Sequence, residues 1–144
     1  MDCIIVDLDG TLSDCSHRLH LISQDKKQWN PFFEGCIDDN LIEPLNEILN
    51  VLNKIYKVVI ITARPENNRE LTTQWLLENN IKFDALYMRK KNDYRKSPFV
   101  KQSLLDEVRN KYNPIYAFED RQDCVEMFQN NNIFTFKVGN EIMA

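Results

Sequence analysis

Apolar and polar positions along this chain switch between two periods, and the switches lay out its elements. Residues 2–8 (DCIIVDL) are short, apolar and β-branched and end on a polar stop, the pattern of a buried strand. A mixed stretch over 13–40, with acids, aromatics and Asn30-Pro31, predicts short helices around 19–22 and 29–33. After Glu43-Pro44, Leu45, Ile48, Leu49 and Leu52 recur at helical spacing and predict a helix over about 43–55. Residues 57–63 (KVVIITA) read as a second buried strand that Pro65 interrupts, and 68–79 as a helix with Leu71, Trp75 and Leu76 inward. Beyond these come a strand at 84–89, a helix at 98–112, a strand at 115–120, a helix at 122–130 and a strand at 133–138.

Strands that alternate with helical patterns imply right-handed crossovers and a parallel sheet covered on both faces. The expectation is an α/β fold: a Rossmann-like three-layer α/β/α sandwich on a mainly parallel five-stranded sheet. One domain over 1–144 is expected, with a short cap-like insert at about 14–43. That length is enough to bury a core without metal or disulfide staples.

Composition narrows the function classes more than the fold. The chain is 43% hydrophobic and 28% charged, with a net charge of −4, so no global basic field points to nucleic acid or membrane. The four cysteines (Cys3, Cys15, Cys36, Cys124) have no CxxC or Cys/His metal spacing; with no signal peptide at the N-terminus they read as free thiols in a reducing cytoplasm. No apolar run approaches bilayer-spanning length. Only three glycines occur, which excludes both GxGxxG and the P-loop pattern.

Chemistry gathers at the strand ends, where sites form in open α/β sheets. In VDLDGTLSD (6–14), Asp7 and Asp9 stand two apart, and on a strand they would share a face and repel. Asp9-Gly10 is also a good turn signal, so a hairpin of no chemical consequence is the rival reading. The second strand ends in Thr62-Ala63-Arg64 and the fourth in Glu119-Asp120-Arg121. A hairpin does not predict that second acidic strand end. Carboxylates without histidine or cysteine make a hard, oxygen-rich site that suits Mg²⁺. Asp7 would serve as a nucleophile that forms an acyl-phosphate, and Asp9 as the acid/base group, provided its pKa lies above that of a free aspartate. Thr62 would donate to a phosphoryl oxygen, while Lys101 would offset accumulating negative charge.

DLDGT at 7–11, Thr62 after an apolar strand, a lysine opening a later helix and an acidic pair after a further strand resemble the haloacid dehalogenase superfamily of phosphohydrolases. The resemblance implies Mg²⁺, Asp7 as nucleophile, Asp9 as acid/base and a metal ligand from the Asp9 backbone carbonyl. LSDCSHRLHLI (12–22), TARPE (62–66), YMRKKNDYRKSPFVK (87–101) and FEDRQDCVEMF (118–128) look most like the 3′-phosphatase domain of bacteriophage polynucleotide kinase-phosphatase. That likeness implies substrate contacts from Arg18, Arg64, Arg89, Asp93 and Arg95, and metal ligands from Asp7, Asp9, Asp120 and Glu119. Two departures stand out. Ser97-Pro98 occupy a place where an acid is expected, and Glu119-Asp120 replaces the usual Asp-Asp pair. Glutamate reaches one methylene further, so the direct ligand falls on Asp120, with Glu119 second.

Other residues admit two readings. The six Lys/Arg between Arg89 and Lys101 are either a solvated loop or a contact for a polynucleotide. Trp29, Phe32 and Phe33 are either core or a stacking surface for a base. His17 and His20 read as packing or surface residues. The functional expectation is a phosphatase that acts on a phosphorylated nucleic acid end or a nucleotide, with no membrane partner. Its rivals are a small-molecule phosphomonoesterase of the same fold and a non-catalytic module that kept the scaffold.

Overall fold

The computed structural model describes residues 1–139. Its strands are β1 (Asp2–Val6), β2 (Ser13–Asp14), β3 (Asn40–Leu41), β4 (Lys57–Pro65), β5 (Ala85–Arg89), β6 (Asn113–Glu119) and β7 (Phe134–Lys137). The α-helices are α1 (Trp29–Glu34), α2 (Glu43–Leu52), α3 (Arg69–Glu78), α4 (Ser97–Val108) and α5 (Gln122–Asn130). Single 3₁₀ turns add Ser16–Leu21, Gly35–Asp38 and Glu66–Asn68.

Five strands pair in the order β5-β4-β1-β6-β7, all parallel, so β1 lies at the centre with β4 and β6 on its flanks. Side chains on a strand alternate between faces, and the buried residues divide accordingly. Cys3, Ile5, Val59, Ile61 and Ala117 pack under α4 and α5, with Leu104, Leu105, Val108 and Phe128. Ile4, Val6, Val58, Ile60 and Phe118 pack under α2 and α3, with Leu45, Leu49, Trp75 and Leu76. This is the three-layer fold expected from the sequence.

Several boundaries and faces differ from expectation. Pro65 does not break β4 off at Ala63: the strand includes Pro65 as its last residue, and the pairing with β5 shifts register between Thr62 and Pro65. That irregularity is how a residue without an N–H is tolerated in a ladder. On α2 the inward residues are Leu45 and Leu49, while Ile48 faces water at 48% exposure. Thr72 rather than Leu71 joins Trp75 and Leu76 under α3. The 98–112 helix ends at Val108, and a turn carries Tyr112 into the core. The insert contains α1, two 3₁₀ turns and the two-residue pairing of β2 with β3 that the hydrophobic pattern did not predict.

Candidate active site

A tight turn after β1 does the first positioning. Gly10 sits at φ +83°, and a Cβ there would run into the Asp120 carboxylate, so both conformation and close approach require glycine. The N–H groups of Thr11, Leu12 and Ser13 all donate to the Leu8 carbonyl at 2.9–3.0 Å. The Asp9-Gly10 turn is therefore present, and it carries the acids rather than replacing them. Because β1 ends at Val6, strand alternation does not extend through Asp9, and the two aspartates part company.

Asp7 turns toward β6 and α4. Its Oδ1 accepts from Lys101 Nζ at 2.8 Å and its Oδ2 from the Thr11 hydroxyl at 3.1 Å. Lys101, buried in α4, also donates to Glu119 Oε2 at 2.8 Å. Burial works against its charge, but Asp7 and Glu119 outweigh that and lift its pKa well above the ordinary value. Asp120 is buried, and among the described residues neither of its carboxylate oxygens has a donor. Asp7, Glu119 and Asp120 each offer an oxygen within 4.8 Å of the others. Burial, with Asp7 alongside, pushes the Glu119 and Asp120 carboxyls far above the usual range. Buried polar groups are nearly always paired, so two orphaned oxygens beside two further acids fit a divalent cation. Asp120 is the freest ligand, since Glu119 already binds Lys101 and accepts from the Arg121 N–H at 3.3 Å.

Asp9 turns the other way, into a cage of arginines. Its Oδ1 accepts from Arg18 Nη2 at 2.6 Å and Arg64 Nη2 at 2.7 Å, and its Oδ2 from Arg64 Nε at 3.2 Å. Burial raises its pKa, but the charges of Arg64 and Arg18 prevail and hold the carboxyl well below the usual range. The raised pKa expected for this residue is thus reversed, because its close neighbours are cations rather than acids. Asp39, also buried, binds Arg18 Nε at 2.8 Å and Arg18 Nη2 at 2.6 Å, and its Oδ2 lies 3.5 Å from Arg64 Nη2. His17 reaches Asp39 Oδ1 at 2.7 Å, so it has the carboxylate partner that the sequence reading did not find.

A cavity of about 70 Å³ opens over these groups, lined among others by Asp7, Asp9, Thr62, Arg64, Lys101 and Arg121. Thr62, buried at the end of β4, takes the Arg64 N–H on its oxygen at 3.2 Å, which leaves its hydroxyl proton for another acceptor. Arg18 does not line the cavity: it is 2% exposed and spends its donors on Asp9, Asp39 and the Phe32 carbonyl. Direct phosphate contact expected of Arg18 gives way to a place beneath Asp9. Arg89 lines the cavity but donates to the carbonyls of Ala63, Asp93 and Arg95, holding the following loop against β4. Arg95 forms a two-pronged pair with Asp93 at 3.0 and 2.8 Å, which draws the Asp93 carboxyl down to about 2, and both stand outside the cavity lining. All four cysteines are free thiols, buried away from solvent.

Sequence reasoning passed over Asp39, Thr11, Ser97 and Arg121. Thr11 lies inside the DLDGT motif and Arg121 directly follows the acidic pair, so both were within reach. Asp39 carried no such signal, being one acid of a mixed segment far along the chain from Asp9.

Relatives share this fold. The family model for the polynucleotide kinase PNKP phosphatase domain matches residues 1–141. The chain belongs to that family. It is a phosphatase domain of the haloacid dehalogenase type. A chain of the Pnkp1/Rnl/Hen1 RNA repair complex is 31% identical with a TM-score of 0.79, over 95% of this chain and 42% of that one. A second structure of that complex gives 30% identity and a TM-score of 0.81, over 96% of this chain and 47% of the other. The chain thus spans a little under half the length of these relatives. A class C acid phosphatase from Bacillus anthracis, with tungstate bound, shares the fold at 13% identity and a TM-score of 0.71, over 98% of this chain and 67% of that one. No curated protein matches the sequence. Among the described residues no helix is long and apolar enough to cross a membrane.

Proposed function

We propose that this PNKP-type phosphatase domain is a magnesium-dependent phosphohydrolase that removes terminal phosphate from nucleic acid 3′ ends or from nucleotides, through an aspartyl-phosphate on Asp7. The observation that carries the reading is the donor set at the cavity floor: Asp7 gripped by Lys101 and Thr11, beside the unpartnered Asp120 carboxylate.

In this reading Asp7, Asp120 and the Asp9 backbone carbonyl hold the ion, with Glu119 behind them. All are hard oxygen donors, the set magnesium prefers. When bound, the ion neutralises charge on a phosphoryl oxygen and relieves the repulsion among the acids. The chain's own residues do the rest. Lys101 and Thr11 orient Asp7 so that one oxygen faces the phosphorus, and the carboxylate attacks in line as the ester oxygen leaves. Thr62 donates its hydroxyl to an equatorial oxygen, and Lys101 sits where negative charge builds. Arg64, Arg89, Asp93 and Arg95 act around the substrate, with Arg18 as their support from below.

Asp9 enters this sequence ionised, ready to take a proton from water when the acyl-phosphate is hydrolysed. Protonating the leaving oxygen first requires Asp9 to carry a proton, which its arginines oppose. An incoming phosphate competes for Arg64, and every donor it draws away raises the Asp9 pKa. Asp9 then takes up a proton from solvent, passes it to the leaving oxygen and is ionised again when water attacks.

The test is phosphate release from 3′-phosphorylated oligonucleotides and nucleoside monophosphates, with and without EDTA. Asp7→Asn is expected to lower release by ~10³-fold or more, as for other nucleophiles removed from a concerted site. Equal rates for wild type and Asp7→Asn, or indifference to EDTA, would overturn the proposal.

A further inference from the structure

We propose that Trp29 and Phe33 form a stacking platform for the terminal base of a single-stranded polynucleotide whose end phosphate enters the Asp7 cavity. The inference rests on the preceding reading only in that phosphate goes to that cavity; it adds what recognises the rest of the substrate. Asp7, Thr62 and Lys101 line the cavity together with Trp29, Phe32 and Phe33. A nucleoside whose phosphate is held at Asp7 therefore lies beside that aromatic surface.

Three aromatics of α1 line this cavity, and they divide their work. Phe32 is fully buried, with the Arg18 guanidinium 4.5 Å from its ring centre, and serves the core. Trp29 is 46% exposed, and its ring stacks on Phe33 at 5.8 Å with only 20° between planes. A half-exposed aromatic ring beside a cavity lined by Asp7, Thr62 and Lys101 is the arrangement that receives a base. The core reading thus holds for Phe32 and fails for Trp29.

Two anchors keep the platform in register with the reacting groups. The Phe32 carbonyl accepts from Arg18 Nη1 at 2.9 Å and the Phe33 carbonyl from Asn68 Nδ2 at 3.1 Å. Arg18 is the same side chain that grips Asp9, so the wall and the cavity floor share a fastening. Charge at the mouth complements a polynucleotide. Lys27 holds its ammonium 5.7 Å from the Trp29 ring centre, and Lys91 and Lys96 are exposed on the loop after Arg89, where Lys90 pairs with Glu107 and Arg95 with Asp93. Lys27 is a solvated, easily displaced occupant of that ring, and it becomes a partner for a backbone phosphate once a base arrives. Stacking reads the π-face that every base has, so selection is for a base and not for its identity.

The experiment compares phosphate release from a 3′-phosphorylated oligonucleotide with release from the same oligonucleotide ending in an abasic sugar phosphate. In wild type the ratio of kcat/KM values is expected to be on the order of tenfold to a hundredfold in favour of the base-bearing end, carried by KM. Trp29→Ala collapses that ratio toward one, and Trp29→Phe restores most of it. A wild-type ratio near one overturns the platform while phosphate release from both ends leaves the Asp7 reading standing. Equal losses on both substrates in Trp29→Ala overturn it too, because a merely structural residue does not discriminate. Binding gives a readout free of turnover: in Asp7→Asn protein with Mg²⁺, the base-bearing oligonucleotide quenches tryptophan fluorescence and the abasic one does not. That quench disappears in Asp7→Asn/Trp29→Phe, which retains Trp75; a quench that survives there, or none with either ligand, overturns the platform.

Discussion

Asp7, Glu119 and Asp120 face one buried cation, Lys101, while Asp9 and Asp39 face two, Arg18 and Arg64. The first cluster is short of positive charge, the second is balanced, and the two lie within one DLDGT turn of each other. The difference separates the jobs of the clusters. A buried group short of counter-charge has affinity to spare for a cation or a phosphate-bound ion, at the expense of stability. A balanced, hydrogen-bonded group keeps its charge until a ligand competes for its cations. Neighbouring acids of one motif therefore sit in opposite charge surroundings, one group short of cations and the other supplied with them.

The same chemical change is expected to act with opposite signs in the two clusters. Asp9→Asn leaves two buried guanidiniums with Asp39 alone and destabilises the fold by ~3–5 kcal/mol, the usual cost of breaking a buried ion pair from one side. A loss of unfolding free energy under ~1 kcal/mol, measured by urea denaturation, would erase the distinction. Asp120→Asn is expected to stabilise the metal-free protein by ~2–4 kcal/mol near neutral pH, because it removes a carboxyl that folding must protonate. In the same variant, magnesium no longer raises Tm. Stability lost in EDTA would mean that Asp120 is already paired.

Asp39→Asn weakens the balanced cluster from its far side. A loss of ~2–3 kcal/mol is expected, less than for Asp9, because Arg18 keeps Asp9 and the Phe32 carbonyl. Asp39→Glu should recover part of it.

Titration sharpens the comparison further. Burial and the neighbouring Asp7 charge raise the Glu119 and Asp120 carboxyls on folding, from about 4 in the unfolded chain into the range above neutral. The metal-free native state therefore binds more protons than the unfolded one, and its stability falls as pH rises from about 4 through that range. Magnesium, which needs the ionised ligands, should raise Tm more at pH 8.5 than at pH 6. Asp9 has the opposite sign: its folded pKa is lowered, so its contribution is present above the ordinary carboxylate pKa and disappears only as pH falls toward the lowered value. An apo Tm that climbs steadily from pH 5 to 8.5 would contradict the first half. The smallest effect belongs to His17→Ala, whose ring is 44% exposed and whose pairing to Asp39 is worth less than about 1 kcal/mol.

Much of this was readable before any coordinates. β1, β4, β5, β6 and β7, and the helices between them, fall where apolar runs and helical spacing put them, because the central strands are buried on both faces and the helices on one. α5 matches its expected bounds. What the pattern missed were short pieces held by hydrogen bonds, such as β2 with β3 and the extension of β4 as far as Pro65. Asp7, Thr62, Lys101, Glu119 and Asp120 were legible as a group, since strand ends in a parallel sheet converge by rule. The surroundings of Asp9 were not. Spacing of two residues suggested repulsion between Asp7 and Asp9, whereas the strand had already ended and the turn directed them apart.

By itself, the order of residues determined the parallel sheet, the acids at its carboxyl edge and the absence of any P-loop, because periodicity and motif are local properties of a chain. Only the tertiary structure decided which cation each acid meets, that Arg18 lies under the site rather than in it, that Asp39 completes the balanced cluster, and that Trp29 stays open while Phe32 is buried. Those outcomes depend on distances between residues far apart in sequence. Electrostatics and burial act through space, and spacing along the chain does not encode it.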